Sequence, residues 1–184
     1  MDILRAVLTV CLALSPAIAL DDRERSAMFT EAQTVWQPHG VAIRPGQAGN
    51  CDRLIVVKSD AEARPEDIAP DSALGWVPFV AGKPRRLLFL RVSRAQSLVE
   101  DMSPGTRPEA LTRLLVARFL GRILAHELGH VLLNSPQHRE RGLMRAHYRA
   151  RDVLSSPISS YTLDAADRAL FFAATGKQVR LALR

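Results

Sequence analysis

Two histidines and a glutamate occur within five consecutive residues, His126-Glu127-Leu128-Gly129-His130. Residues four apart on an α-helix lie on the same face, one turn apart. Two imidazoles placed in this way can bind one zinc ion at about 2.0–2.1 Å each. The carboxylate of Glu127 then points toward the edge of the metal, where it can act as general base on a zinc-activated water. This HExxH pattern predicts a zinc-dependent hydrolase, whereas two buried histidines and a glutamate without a metal would be costly.

The pattern lies near the end of a long predicted helix. No helix breaker occurs between Pro108 and Pro136, so we expect one helix of about 26 residues. Thr106 is placed to cap it, and a proline suits its first turn. Its second half, residues 119–133, is apolar nearly all round, which indicates a helix buried in the centre of the domain.

The other predicted elements suffice for one α+β domain. They are a helix over residues 22–37, strands over 41–44 and 54–57, a loop over 62–72, a hairpin of strands 75–80 and 86–92 with its turn at 81–84, and a helix over 164–174 with Thr162 or Asp164 as cap and Gly176 as stop. Strands that precede most of the helices favour a mixed, twisted sheet. We therefore predict a single domain with a long buried active-site helix and a C-terminal helix.

The first 19 residues have the features of a secretory signal peptide. Arg5 precedes an apolar run that ends in Ala17-Ile18-Ala19, a small-x-small cleavage pattern. An uncleaved anchor is the alternative, but the run is short for a bilayer. Cleavage would leave residues 20–184 as a secreted or periplasmic protein. It would also remove Cys11, so we expect Cys51 to be a small buried apolar residue.

The sequence resembles the zincin metallopeptidases, and among them the metzincins such as the matrixins. The resemblance rests on the pentapeptide 126–130, on Pro136-Gln137-His138 and on Gly142-Leu143-Met144. It is also similar to small secreted bacterial zinc proteases. The resemblance implies a zincin-like fold, zinc endopeptidase activity, His138 as third metal ligand, and Met144 as the methionine turn beneath the metal.

Several positions depart from the metzincin pattern. Leu133 occupies the position of the metzincin glycine, and Pro136 occupies that of the third histidine. We expect Asn134 to end the helix instead, because asparagine tolerates the left-handed conformation. Alternatives to His138 as third ligand stay open: Glu140, His147 and Asp164, the last being more typical of a helix cap.

Three further residues have open roles. Met144 is either the methionine turn or an ordinary core residue. Tyr148 can line the substrate pocket, although packing is its more ordinary role. Arg122, one turn before His126, is either a group that supports the metal ligands or a salt-bridge partner.

Composition limits the partners. The formal net charge is +6, and arginines at 139, 141, 145, 149 and 151 can favour acidic substrates or simply form a solvated face. No basic motif interleaved with aromatics indicates nucleic acid, and no stable membrane insertion is expected after signal cleavage. We predict a peptide or protein substrate. The alternatives are a zinc-binding or scaffold protein with weak catalysis, and a zinc hydrolase of a non-protein substrate such as cell-wall material.

Overall fold

The computed structural model describes residues 8–46, 49, 51–67, 69, 72–102, 105, 107–146 and 157–176, and the structural statements below concern these residues. Within them, no helix has both the length and the apolar character needed to cross a membrane.

A five-stranded mixed sheet forms one layer of the domain. Its strand order is β2-β1-β3-β7-β4, in which β4 is the antiparallel edge strand and the other four strands are parallel. A separate two-stranded hairpin pairs β5 with β6. The strands are β1 (Leu8–Leu14), β2 (Val41–Pro45), β3 (Arg53–Ser59), β4 (Gly75–Trp76), β5 (Phe79–Val80), β6 (Lys83–Pro84) and β7 (Leu87–Leu90).

Helices form the second layer, and the core lies between the two layers. They are α1 (Asp22–Trp36), α2 (Val92–Glu100), α3 (Glu109–Leu133) and α4 (Ala165–Thr175), with short 3₁₀ turns at Gln37–His39, Asp60–Glu62, Pro65–Asp67 and Ile158–Ser160. Every residue of α3 from Phe119 to Leu133 is buried. The predicted α+β domain, with its mixed sheet, long buried helix and C-terminal helix, is confirmed.

The ends of the helices were mostly predicted from capping residues. Asn134 ends α3 in the left-handed conformation, with φ 51° and ψ 43°. Asp164 caps α4 by accepting a hydrogen bond from the Asp167 amide, and Gly176 ends it with φ 66°. At the start of α3, however, the capping position is Pro108, without a side-chain cap. The predicted cap Thr106 lies outside the described residues.

The predicted antiparallel pairing of the two strands within residues 75–92 is confirmed, but they do not form one continuous hairpin. β4 does pair with β7, but it ends at Trp76, and Phe79–Val80 turns back onto Lys83–Pro84 instead. Ala81 and Gly82 both have positive φ, 50° and 74°, which suits a tight two-residue hairpin turn. Helix α2 was not predicted from the sequence.

The N-terminal residues contribute a strand in the interior of the sheet. β1 lies between β2 and β3, and Val10, Cys11 and Leu12 are fully buried. Cys11 forms a disulfide with Cys51, with the two Cα atoms 5.7 Å apart. In the full chain Cys51 is therefore a disulfide partner that links β1 to the segment before β3, and it would be a lone apolar residue only after the predicted cleavage.

This placement bears on the predicted signal peptide. A buried parallel strand and the apolar part of a signal peptide are both short, continuous apolar runs. Cleavage after Ala19 would remove β1 and break its ladders to both neighbours. The signal peptide itself stays a prediction, and it conflicts with the packing of this strand.

Candidate metal centre

Three histidine side chains converge in one place. His126 and His130 lie one turn apart on α3, and His138 lies in the loop that follows the helix. One potential ligand atom from each lies within 4.8 Å of the others. The ring centroids are 4.9 Å apart for His126 and His130, 5.2 Å for His126 and His138, and 4.9 Å for His130 and His138. These three rings could hold a metal ion.

Backbone carbonyls orient the two helix histidines. Nδ1 of His126 lies 2.7 Å from the carbonyl oxygen of Leu143, and Nδ1 of His130 lies 2.8 Å from that of Ser135. A carbonyl oxygen only accepts hydrogen bonds, so both Nδ1 atoms must donate. Each Nε2 then carries the lone pair that a metal needs.

The environment keeps these two imidazoles neutral. Burial, followed by the nearby His130, lowers the pKa of His126 to about 3. Burial also lowers the pKa of His130 to about 4, with a smaller lowering contribution from His138. Because a metal competes with protons for the ring nitrogens, neutral histidines are ready to bind at pH 7.

Glu127 adjoins the histidines on the wall of the same cleft. Its side chain is buried, and burial raises the pKa of its carboxyl to about 8. The chain approaches it closely at Gly75 of β4: a Cβ atom added there would lie 2.8 Å from Cγ and 3.1 Å from Oε1 of Glu127. Gly75 therefore provides the space that this carboxyl group occupies.

A tight loop brings His138 back to the helix. After the left-handed turn at Asn134, the Arg139 amide donates to the Met144 carbonyl oxygen at 2.6 Å. The Ala146 amide donates to the Arg139 carbonyl oxygen at 3.1 Å. These bonds close the loop directly after His138 and so fix its position.

The rival third ligands are placed differently. Glu140 is exposed and lines a separate depression together with Asp164. Asp164 serves as the cap of α4, as its sequence position suggested. His147 and Tyr148 lie outside the described residues, so their predicted roles are left as predictions.

Met144 is fully buried. Its Sδ is the nearest atom that a Cβ added at Gly129 would meet. Gly129 lies between Glu127 and His130, so the methionine packs against the metal-binding turn of α3. A methionine turn and an ordinary core residue both fit this packing, so the methionine turn stays a prediction.

Arg122 lies in a buried polar network. Its Nε donates to Oε1 of Glu31 in α1 at 2.6 Å, and its guanidinium lies over the ring of Tyr161, 4.9 Å from the centroid. Of its two predicted roles, the structure shows the salt bridge. Thr162, which follows Tyr161 in the chain, accepts a hydrogen bond from the Leu143 amide through its carbonyl oxygen. The carbonyl oxygen of Leu143 in turn orients His126.

The cleft wall opposite α3 was not predicted from the sequence. The cleft has a volume of about 470 Å³, and β4 and its flanking residues Leu74, Gly75, Trp76 and Val77 line it together with the three histidines and Glu127. A glycine at the start of a predicted strand was a usable signal, because it often marks close approach of the backbone to another group. No sequence feature indicated that the carbonyl oxygens of Leu143 and Ser135 would orient the two helix histidines.

Comparisons with known proteins establish the fold. No family model matches the chain, and no curated protein matches it. Among solved structures, the chain is similar to archaemetzincin from Methanopyrus kandleri, with a TM-score of 0.55 and 14% identity over 96% of this chain and 100% of the other. The predicted zincin-like fold is thereby confirmed. The closer resemblance to matrixins and to secreted bacterial proteases stays a prediction.

Proposed function

We propose that the protein is a zinc-dependent peptidase whose general base is Glu127. The observation that carries this proposal is the convergence of His126, His130 and His138 within 4.8 Å, beside a buried glutamate in an open cleft. The fold that the chain shares with archaemetzincin supports it, although a fold alone does not establish an activity.

The donor set fits zinc. Three imidazoles are a common protein ligand set of catalytic zinc sites, which keep one position open for water or substrate. Both helix histidines also have the carbonyl partners that hold metal-ligating rings in place. A zinc ion held by these residues would polarise a carbonyl group and lower the pKa of water.

Glu127 is suited to accept and return a proton. Burial alone places its pKa near neutrality, at about 8, where proton transfer in both directions is most efficient. A nearby cation would lower that pKa again, because opposite charge favours the ionised form. The carboxylate can therefore take a proton from the attacking water and deliver it to the leaving amine.

The edge strand β4 can align an extended substrate. β4 ends the sheet and pairs with β7 on one side, and its residues line the cleft beside Glu127. A peptide that adds to a sheet edge gains main-chain hydrogen bonds without a particular sequence. This arrangement favours a peptide over the cell-wall substrate considered as an alternative.

The test compares Glu127→Gln with the parent protein. Glutamine keeps the shape of the side chain but cannot accept the proton, so hydrolysis of an unfolded protein such as casein should fall about 10²–10⁴-fold. Zinc content and melting temperature should not change. Glu140→Gln, an exposed glutamate in the following loop, is the matched control.

Three results would reject the proposal. Equal hydrolysis by parent and Glu127→Gln at equal zinc content would mean that Glu127 is not the base. No hydrolysis by the zinc-loaded parent would favour the binding or scaffold alternative. Cleavage of cell-wall material without peptide-bond products would favour the non-protein hydrolase.

Export also stays a proposal. The Cys11–Cys51 disulfide supports an oxidising compartment, because such bonds are rare where thiols are kept reduced. The interior position of β1 argues that residues 8–14 are retained in the working protein.

A further inference from the structure

The third histidine differs from the other two in how it is supported. His126 and His130 lie on the buried helix α3, whereas His138 is exposed and lies in the loop after that helix. A loop holds a ligand less precisely than a helix does, while a metal site needs its ligands within about 0.5 Å of the correct position. The residues that hold this loop in place therefore decide how well His138 can bind a metal.

Arg139, the residue after His138, ties the loop to helix α4. Its Nε donates to Oδ1 of Asp167 at 2.9 Å and lies 3.5 Å from Oδ2 of Asp164. The side chain of Arg139 is 22% exposed and that of Asp167 only 2%, so water and salt screen this ion pair less than a surface pair. The Asp167 amide donates to Oδ1 of Asp164 at 2.7 Å. The Asp167 carboxylate is therefore mounted on the fixed first turn of α4.

The backbone of Arg139 is held as well as its side chain. Its amide donates to the Met144 carbonyl oxygen at 2.6 Å, and its carbonyl oxygen accepts from the Ala146 amide at 3.1 Å. Burial, followed by the charge of Asp164, raises the pKa of Asp167, and Arg139 opposes that rise. The arginine thus stabilises the ionised carboxylate that it pairs with. A residue held through both its main chain and its side chain leaves little freedom to the adjacent His138.

The segment before α4 contacts the same loop at a second place. The Leu143 amide donates to the Thr162 carbonyl oxygen at 3.0 Å, and a Cβ atom added at Gly142 would lie 2.5 Å from that oxygen. Gly142 also has a φ of 76°, a conformation that residues with a side chain rarely adopt. The loop is therefore held against α4 and the segment before it at two contacts, one at Arg139 and one at residues 142–143.

We propose that Asp167 is a positioning residue for the metal ligand His138 and that it acts through Arg139. The proposal rests on the zinc site of the proposed function and not on peptide hydrolysis. Removing the charge of Asp167 takes the buried carboxylate away from the Arg139 guanidinium, so the loop can shift and His138 can leave its place beside the helix histidines. Groups that hold metal ligands in place typically contribute about 10–100-fold to metal affinity. We expect the lower end of this range, because Asp167 acts through an intervening residue.

The experiment measures the zinc affinity of the folded protein by competition with a chelator, well below the melting temperature. Asp167→Asn should weaken zinc binding about tenfold. Asp67→Asn is the matched control, because Asp67 is also buried and pairs with Arg85 at 3.1 Å, but it is not among the described residues that line the metal cleft. Both variants lose a carboxylate that pairs with an arginine, so both should melt at a lower temperature. Only Asp167→Asn should lose zinc affinity, which a merely structural role would not change.

A double-mutant cycle tests the route through Arg139. Arg139→Gln should weaken zinc binding by a similar factor, and combining it with Asp167→Asn should cause little further loss, because the effects of two residues that share one contact do not add. If Asp167→Asn does not fold, Arg139→Gln decides the test, since its side chain is partly exposed. Arg85→Gln, which breaks the control ion pair, is then the matched variant.

The outcomes separate this positioning role from the peptidase proposal. An unchanged zinc affinity in Asp167→Asn or, where that variant does not fold, in Arg139→Gln would overturn the positioning role. An equal loss in the matched control, or losses that multiply in the double variant, would overturn it as well. A parent that binds no zinc would overturn both proposals. A parent that binds zinc but hydrolyses nothing would reject only the peptidase, because the role of Asp167 is measured by zinc affinity.

Discussion

The close approach of β4 to α3 predicts a strong effect of Gly75→Ala. An added Cβ at Gly75 would lie 2.8 Å from Cγ of Glu127 and 2.9 Å from Cγ2 of Ile123. Ordinary contacts of a Cβ begin near 3.4 Å, so the Glu127 side chain has to move by ~0.6 Å. Ile123, one turn earlier on the same helix, is crowded at the same time and leaves little room for a sideways shift.

The expected loss is catalytic. A displacement of about 1 Å can cost roughly 10²-fold in rate, and we expect kcat to fall about tenfold or more for this smaller shift. A tenfold loss corresponds to about 1.4 kcal/mol in the barrier. Overpacking also costs about 1–3 kcal/mol of stability, so the assay must be run well below the melting temperature.

The assay measures kcat on a quenched fluorescent peptide, with zinc content measured on the same samples. Gly49→Ala is the matched control, because a Cβ added there would meet nothing within 4 Å. If Gly75→Ala and Gly49→Ala retain equal kcat at equal zinc content, Glu127 does not work in the position that the structure gives it. Loss of zinc from Gly75→Ala would likewise refute the reasoning, since the three atoms nearest to the added Cβ belong to Glu127 and Ile123 and not to a histidine.

Three further predictions concern the metal ligands, the core and the N-terminus. His138→Ala should weaken zinc binding in a competitive chelator titration far more than Glu140→Ala does; the reverse order would mean that the third ligand is misassigned. His39 is buried, and burial, followed by the charge of Arg168, lowers its pKa to about 4. Because this folded-state pKa lies below the unfolded value of 6.5, the stability that His39 contributes is complete above about pH 6.5 and is lost toward pH 4. Between about pH 7.5 and pH 5, the free energy of unfolding measured in urea should therefore fall by about 2 kcal/mol less for His39→Leu than for the parent. Equal decreases in the two proteins would contradict the burial of a neutral ring. A chain lacking residues 1–19 should fail to give the cooperative melt of the full chain in circular dichroism; a cooperative melt together with zinc binding would instead support the cleaved signal peptide.

The zinc-site pattern was readable from the sequence because it is local. A spacing of four residues on a helix puts His126 and His130 on one face whatever surrounds them. The end of α3 was readable for the same reason: Asn134 can adopt the left-handed conformation without help from other elements. The cap and the stop of α4, Asp164 and Gly176, are equally local.

The errors arose where pairing between distant segments decides the structure. An apolar run at residues 8–14 is compatible with a signal peptide or with a buried parallel strand, and only its ladders to β2 and β3 distinguish them. The disulfide of Cys51 depends on that same strand. The turn at Ala81 and Gly82 and the pairing of Gly75–Trp76 with β7 were both predicted, but the turn belongs to the separate hairpin of β5 and β6.

The sequence by itself therefore determined the helix, the two histidines with their glutamate and the residues available as a third ligand. Only the tertiary structure decided that His138 joins them, since its position depends on a loop closed by backbone hydrogen bonds to Met144 and from Ala146. The same holds for the carbonyls that orient the histidines and for Gly75, which leaves room for Glu127. Main-chain groups are identical in every residue, so what they contact is set by the fold and not by the residue type.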